Sequence, residues 1–474
     1  MLKFNNKRTP PKLLYNIGAL MDIPTGTVVT GSKGESIVNG GLGAISGIVG
    51  AGNNYKSTIL HYMMLAAAEK VLITHDTAML TYDTEINISL DRLENLASNF
   101  KKLPEDIITG ENAKWATTDK SLEPANVWAM SLNEYVKNKQ KDKSLIVEYN
   151  AFKDPYNKGC IKAPLTTFVE IDSLTEFEPE STTEMLTKDL DSSDTNTFAM
   201  RQGLFKTKFL SQLPRLSTDS NTNFLLTAHI GEKIDMATGP AKYNQPTKKL
   251  QFLKGGDAIK GVTSKFFFLL NNAWFAHTAS VLKNQGTKKP EYPLRGDDEV
   301  DTDLNTVKLT MLRSKSGPSG YTIELVVSQS GGVLPTLTEF HHIKNNGRFG
   351  LEGSNISYNM ILYPDVKLGR TTVRRKIDAD PKLRRAINIT SELLQAISFY
   401  PWLTNEGLNC TPKELYDDLI ALGYDWDVLL NTRGYWLIDN YTDKDLPFLS
   451  VIDLLKMRKG IYKPYWYKEK LKGG

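Results

Sequence analysis

The 474-residue chain carries 58 Lys and Arg against 54 Asp and Glu, a formal net charge of +4, so net charge alone makes no case for nucleic acid and any such surface must be local. Two cysteines, Cys160 and Cys410, exclude a disulfide framework and a cysteine-built metal cluster. No stretch approaches about 18 consecutive apolar residues and no apolar run follows the basic residues at the N-terminus, which is the pattern of a soluble, untargeted protein.

The length exceeds what one hydrophobic core usually serves, so a large domain and at least one smaller unit are expected. Residues 1–40 are polar, with turn formers at Pro10, Pro11, Pro24, Gly31 and Gly34, and the apolar piece Leu13 to Met21 suggests one helix in a lead-in or oligomerisation segment. From Leu42 onward, short apolar runs recur at Ala44 to Val49, Ala78 to Tyr82, Thr166 to Ile171, Asn223 to Thr227 and Lys265 to Leu270. Runs of this kind are expected of strands covered on both faces, giving an α/β fold with a mostly parallel twisted sheet flanked by helices.

Between two of these strands, the stretch 93–165 is rich in Lys, Asn and Asp and holds an amphipathic piece from Val127 to Val136; it is expected as an insertion on the core. Thr306 to Arg313 and Tyr321 to Ser328 flank the turn-forming Ser314 to Gly320, predicting a β-hairpin at the sheet edge. The core then spans 41–353. A basic connector, 354–388, contains Lys367, Arg370, Arg374, Arg375, Lys376, Lys382, Arg384 and Arg385. Helical periodicity in Ser391 to Phe399 and Thr411 to Leu422 makes 389–474 a small helical domain, expected to expose Trp402, Trp426, Trp436 and Trp466.

The sharpest motif is Gly50-Ala51-Gly52-Asn53-Asn54-Tyr55-Lys56-Ser57-Thr58, between an apolar strand and the start of a helix. In that context backbone N–H groups and the helix N-terminus converge on a polyphosphate. Lys56 is placed to reach the β and γ phosphates, and Ser57 to complete a Mg²⁺ shell. Tyr55 stands where a Gly usually precedes the Lys, and a Tyr makes that backbone geometry more costly. A glycine-rich turn before an ordinary helix is the plainer alternative.

The next strand ends in Asp83-Thr84-Glu85, at the edge where open α/β sheets bind ligands, and Glu85 is the candidate base for an attacking water. Thr166 to Ser173 has the form of a Walker B strand, with Asp172 sharing one metal with Ser57; Glu170 inside it has no evident purpose. Another strand ends at His229, a candidate sensor of the γ-phosphate. The loop from Gly231 to Leu253, poor in apolar residues and bearing Lys233, Lys242, Lys248 and Lys249, closes at Lys254 and suits a phosphate backbone, although a solvated loop fits too. Phe177 to Met200 is also polar but acidic, and is expected to order on binding.

This ordered series resembles the RecA-like recombinases, most closely the phage UvsX branch, in which an aromatic likewise replaces the Gly before the Lys, here Tyr55. The likeness covers about Arg8 to Gly353 and maps the family's Asp-x-Glu onto Asp83 to Glu85, its Walker B ending onto Ile171-Asp172-Ser173, and its switch onto His229. The Gly-Gly-x-Ala-x-Lys pattern at Gly255 to Lys260 closes the second DNA loop. By that likeness Lys260, and less directly Lys254, reach the nucleotide of a neighbouring subunit. The resemblance implies ATP and Mg²⁺ as cofactors, a helical filament of copies on single-stranded DNA, strand exchange with double-stranded DNA, mediator proteins as further partners and the cytoplasm of a bacterial host. A ring-shaped replicative helicase of the DnaB-like class and an ATP-gated DNA-binding scaffold are the rival readings.

Overall fold

The computed structural model describes residues 12–111, 113–154, 159–180, 192–232, 252–253, 257–260, 262, 265–296, 300–354, 356–442 and 444–468. The chain opens with α1 (Asp22–Thr25) and the hairpin β1 (Thr27–Thr30) with β2 (Ser36–Asn39). Then come β3 (Ile45–Gly50), α2 (Lys56–Leu72), β4 (Ala78–Asp83), α3 (Leu90–Ala97), β5 (Trp115–Asp119) and α4 (Ala125–Lys141). A second hairpin, β6 (Ile146–Lys153) with β7 (Cys160–Pro164), precedes β8 (Thr167–Asp172), α5 (Ser192–Ser220) and β9 (Thr222–Glu232). Short elements follow: β10 (Asp257–Ile259), α6 (Lys265–Leu269), β11 (Asn272–Ala276) and β12 (Ser280–Val281). The long antiparallel pair is β13 (Leu304–Ser314) and β14 (Thr322–Ser328), with β15 (Gly332–Val333) outside it.

These strands build an 11-stranded mixed sheet in the order β15-β14-β13-β11-β3-β9-β8-β4-β5, with β10 on β9 and β12 on β13. The half from β11 to β5 is parallel and the rest antiparallel, so the sheet is mixed rather than mostly parallel. Strand β3 is buried at every position, which is why it reads as an unbroken apolar run. Helix α2 is buried nearly all round, from Ile59 to Ala68, and packs on β8 and β9.

Several expectations are corrected. Leu13 to Met21 forms no helix, because Gly18, Ala19 and Leu20 all take positive φ, at 71°, 50° and 68°. Tyr15, Ile17, Ala19 and Met21 instead enter the main core, and the segment is part of the domain. Within Lys265 to Leu270, Lys265–Leu269 is the short helix α6 rather than a strand, with Phe266 buried under the sheet. Segment 93–165 supplies edge strand β5, parallel to β4, and helix α4, so much of it belongs to the layered core.

The expected connector is also folded. Strands β16 (Leu351–Gly353), β17 (Tyr358–Met360) and β18 (Tyr363–Leu368) form a three-stranded sheet that shares a core with Leu282, Val326 and α7 (Pro335–Asn345). Helix α8 (Val373–Ala379) leads into α9 (Pro381–Phe399), which starts ahead of its expected bound because Asp380 accepts from the N–H groups of Lys382 and Leu383 and Pro381 opens the first turn. The expected exposed aromatics are largely inside. Trp436 is 2% exposed and donates to Leu14 O at 3.1 Å, Trp426 donates to Leu362 O at 2.7 Å, and Trp402 and Trp466 are half-buried.

Where α7 and α9 meet, Asn388 donates its Nδ2 to Oε1 of both Glu339 and Glu392, each at 3.3 Å. Burial pushes Glu339 up to about 8 and Glu392 to about 7, with mutual repulsion adding to Glu339 and Arg385 opposing both. Burial likewise lifts nearby Asp22 to about 6, against Lys70 and the N–H groups of Ile17 and Gly18. Raised folded-state values make this contribution to stability full below about pH 4 and progressively lost as pH rises through about 6–8. The urea midpoint is therefore expected to fall between pH 5 and pH 8.5, and Glu392→Gln to flatten that slope.

Candidate phosphate-loop site

The site is assembled at the carboxyl edge of the parallel half-sheet. Gly50 on β3 is the register partner of His229 on β9 and of Ala276 on β11, and Asp83 on β4 is the partner of Asp172 on β8. Loop residues Ala51, Gly52 and Asn53 are exposed between β3 and the first turn of α2. A Cβ on Gly50 would stand 2.7 Å from Ala276 O, so close strand packing requires glycine there. Asn54 braces the loop by donating to the same carbonyl at 3.3 Å.

Asn53 and Tyr55 both hold the left-handed conformation, with φ of 58° and 57°. Asn tolerates it; for Tyr it costs roughly 1–3 kcal/mol. What offsets the cost is side-chain anchorage, since the Tyr55 hydroxyl accepts from Asn305 Nδ2 at 3.0 Å and the ring packs on the main core.

Lys56, 6% exposed, donates its Nζ to Ala51 O at 2.6 Å. Burial lowers its pKa, opposed by the carboxylates of Asp172 and Glu85, which face the same ammonium. Ser57 is exposed beside it at the N-terminus of the 17-residue helix and Thr58 half-buried.

Asp83 organises the turn that carries Glu85. Its Oδ1 accepts from the N–H groups of Glu85 and Ile86 at 2.8 and 3.0 Å, and its Oδ2 from those of Asn87 and Ile88 at 2.7 and 2.9 Å. Glu85 in turn meets His229 Nε2 at 2.6 Å and accepts from Ser173 Oγ at 3.1 Å. Burial raises the Glu85 pKa, but the His229 hydrogen bond and charge, Ser173 and Lys56 outweigh it and hold the carboxyl below its ordinary value. Glu85 is therefore a carboxylate at neutral pH, paired to the residue two strands away.

Asp172 accepts from Thr227 Oγ1, and the following Asp172–Ser173 peptide is cis. Thr84 closes the gap between β4 and β8, taking the Ser173 N–H at 2.7 Å and donating to Ser173 O at 2.9 Å. Thr175 ties in the third strand by accepting from His229 N at 2.9 Å. Lys260, expected to reach a neighbour's nucleotide, is exposed and lies over its own Gly231, its N–H donating to His229 O at 2.8 Å.

The lysines at Lys233, Lys242, Lys248, Lys249 and Lys254 lie outside the described residues, as does the stretch 181–191 of the acidic loop, whose continuation from Ser192 is helix α5. The stretch bearing all five of those lysines is flanked by paired strands, where Asp257, Ala258 and Ile259 pair antiparallel with Glu232, Gly231 and Ile230. Sequence reading missed Thr227 and Thr175 and gave Thr84 and Ser173 no role within their motifs, since these roles arise only from strands meeting side by side. Asp83 carried a readable signal, an Asp at a strand end just ahead of a turn whose N–H groups need acceptors.

The residues fit a nucleoside triphosphate and a hard divalent cation. The exposed loop residues Ala51 to Asn53, a helix N-terminus and a buried ammonium suit phosphate, and the space above Gly52 is open. Among the described residues no group of three or more His, Cys, Asp or Glu side chains is arranged to hold a metal ion by itself. A hydroxyl and one carboxylate, with the rest of the shell from phosphate and water, is the Mg²⁺ pattern. The comparisons add no family, since no protein-family model and no curated protein matches the chain.

Proposed function

We propose that the chain is a DNA-dependent ATPase of the RecA-like recombinase class, assembling on single-stranded DNA and pairing it with a homologous duplex. The carrying observation is the meeting, at one sheet edge, of the strand–loop–helix bearing Lys56 with Glu85, Asp172 and His229. Bound magnesium would supply charge neutralisation on the phosphates, held by Ser57 and Asp172. Lys56 exchanges its Ala51 carbonyl for phosphate oxygen. Glu85 orients water and accepts its proton, and His229, paired with Glu85, links the nucleotide end of β9 to the basic loop that follows it.

A scaffold that captures a partner through C-terminal aromatics is less favoured, because Trp426 and Trp436, two of the four tryptophans expected to be exposed there, are buried. The ring helicase shares the same site chemistry, and electron microscopy with single-stranded DNA and a non-hydrolysable ATP analogue separates the two: open helical filaments support the recombinase, closed rings the helicase. For the DNA-binding loop, Lys248→Ala with Lys249→Ala is expected to weaken binding and reduce the salt slope by about 1 for each phosphate no longer neutralised. Binding that is unchanged across a salt series removes this loop from the interface.

A further inference from the structure

Glu170, placed inside a strand without evident purpose, is fully buried and meets His61 Nδ1 at 2.9 Å. The same Oε2 accepts from Thr81 Oγ1 at 2.8 Å, and Thr81 Oγ1 takes the Trp115 indole N–H at 2.8 Å. One polar rung thus crosses α2, β8, β4 and β5 within an apolar layer. Its position is regular. Thr81 is the register partner of Glu170, as Asp83 is of Asp172, so the two rungs lie on one face of the sheet. His61 is four residues beyond Ser57, about 6 Å along the helix, and Glu170 two before Asp172, roughly 6.6 Å along the strand. The helix runs down from the loop while the strand runs up to it, so the buried rung sits one step directly beneath the pair expected to share a metal.

Stability does not account for the rung. A buried His–carboxylate pair often contributes no more than well-packed apolar residues of the same volume, and here Glu170 Oε1 has no hydrogen-bond partner among the described residues. We propose that His61 and Glu170 are positioning residues that fix the first turn of α2, with Lys56 and Ser57, at the distance from Asp172 that metal-nucleotide binding requires. This rests on the ATPase reading above.

Removing one partner strands the other, so the test pairs His61→Leu with Glu170→Leu in the full chain, and uses Glu170→Gln as the conservative variant. Three readouts are taken: thermal midpoint, nucleotide affinity without metal, and Mn²⁺ affinity of the nucleotide complex with kcat and KM. The double leucine variant is expected to keep the wild-type thermal midpoint and metal-free nucleotide affinity within about threefold. Its Mn²⁺ affinity and kcat are expected to fall about tenfold or more with KM for ATP little changed, as supporting groups behind metal ligands generally behave. Glu170→Gln, which keeps both hydrogen bonds, is expected to recover most of the loss. A double variant equal to wild type in metal affinity and kcat overturns the positioning role alone. A wild-type chain that binds no nucleotide overturns the ATPase reading and this inference with it.

Discussion

Glu85→Gln is expected to lower the ATP turnover number by about 10²–10⁴-fold while leaving nucleotide affinity nearly intact, since a positioned general base contributes that much and nothing else in the loop changes. The amide keeps the volume of the carboxylate and its hydrogen bonds to Ser173 and His229, so the turn built on the four N–H groups that Asp83 accepts from survives. What disappears is an ionised oxygen facing the phosphate loop. Single-turnover kinetics check this, because slow product release does not mask the chemical step. Normal hydrolysis by the variant removes Glu85 from the catalytic role. The same carboxyl sets an acidic limit. Held below its ordinary value, it protonates as pH falls through that lowered pKa, and activity should decline there, not near neutrality.

The second large effect belongs to Lys56→Ala. In the free chain the ammonium is anchored on Ala51 O and faced by Asp172 and Glu85, so the loop holds one positive charge between two negative ones. Removing it leaves both carboxylates uncompensated where the proposed site would hold phosphate. Loss of a charge-assisted hydrogen bond costs about 1.5–3 kcal/mol, so nucleotide affinity is expected to drop roughly 10- to 100-fold, with further loss from carboxylate–phosphate repulsion. Fluorescent-nucleotide titration reads it, and unchanged circular dichroism separates it from unfolding.

How far the site was legible follows from how local each feature is. Gly50 to Thr58 could be read because strand, loop and helix are contiguous, and Asp172 because a carboxylate closing an apolar strand is visible within that strand. The Glu85–His229 pair joins residues 144 apart in sequence, through strands that are not adjacent, and follows only from the sheet order. His61 and Glu170 look unremarkable separately; their meeting needs the helix laid across the strand.

In the fold, contiguous apolar strands were legible, whereas Leu13 to Met21 was misread because three successive left-handed residues cannot be seen in hydropathy. Lys265 to Leu270 read as a strand because of its apolar run, although the segment is too short for either period to decide. The C-terminal tryptophans were misplaced for another reason. Trp436 is buried by Leu14, Asn16 and Phe152, from parts of the chain far from it in sequence.

Isothermal titration of the full chain with ATP in the presence of Mg²⁺ tests the central claim most directly. The proposed site requires saturable binding of one nucleotide per chain, weakened at least tenfold by Lys56→Ala and nearly unaffected by Glu85→Gln. Absence of saturable binding, or binding that Lys56→Ala leaves unchanged, contradicts the assignment of Gly50 to Thr58 as a phosphate loop.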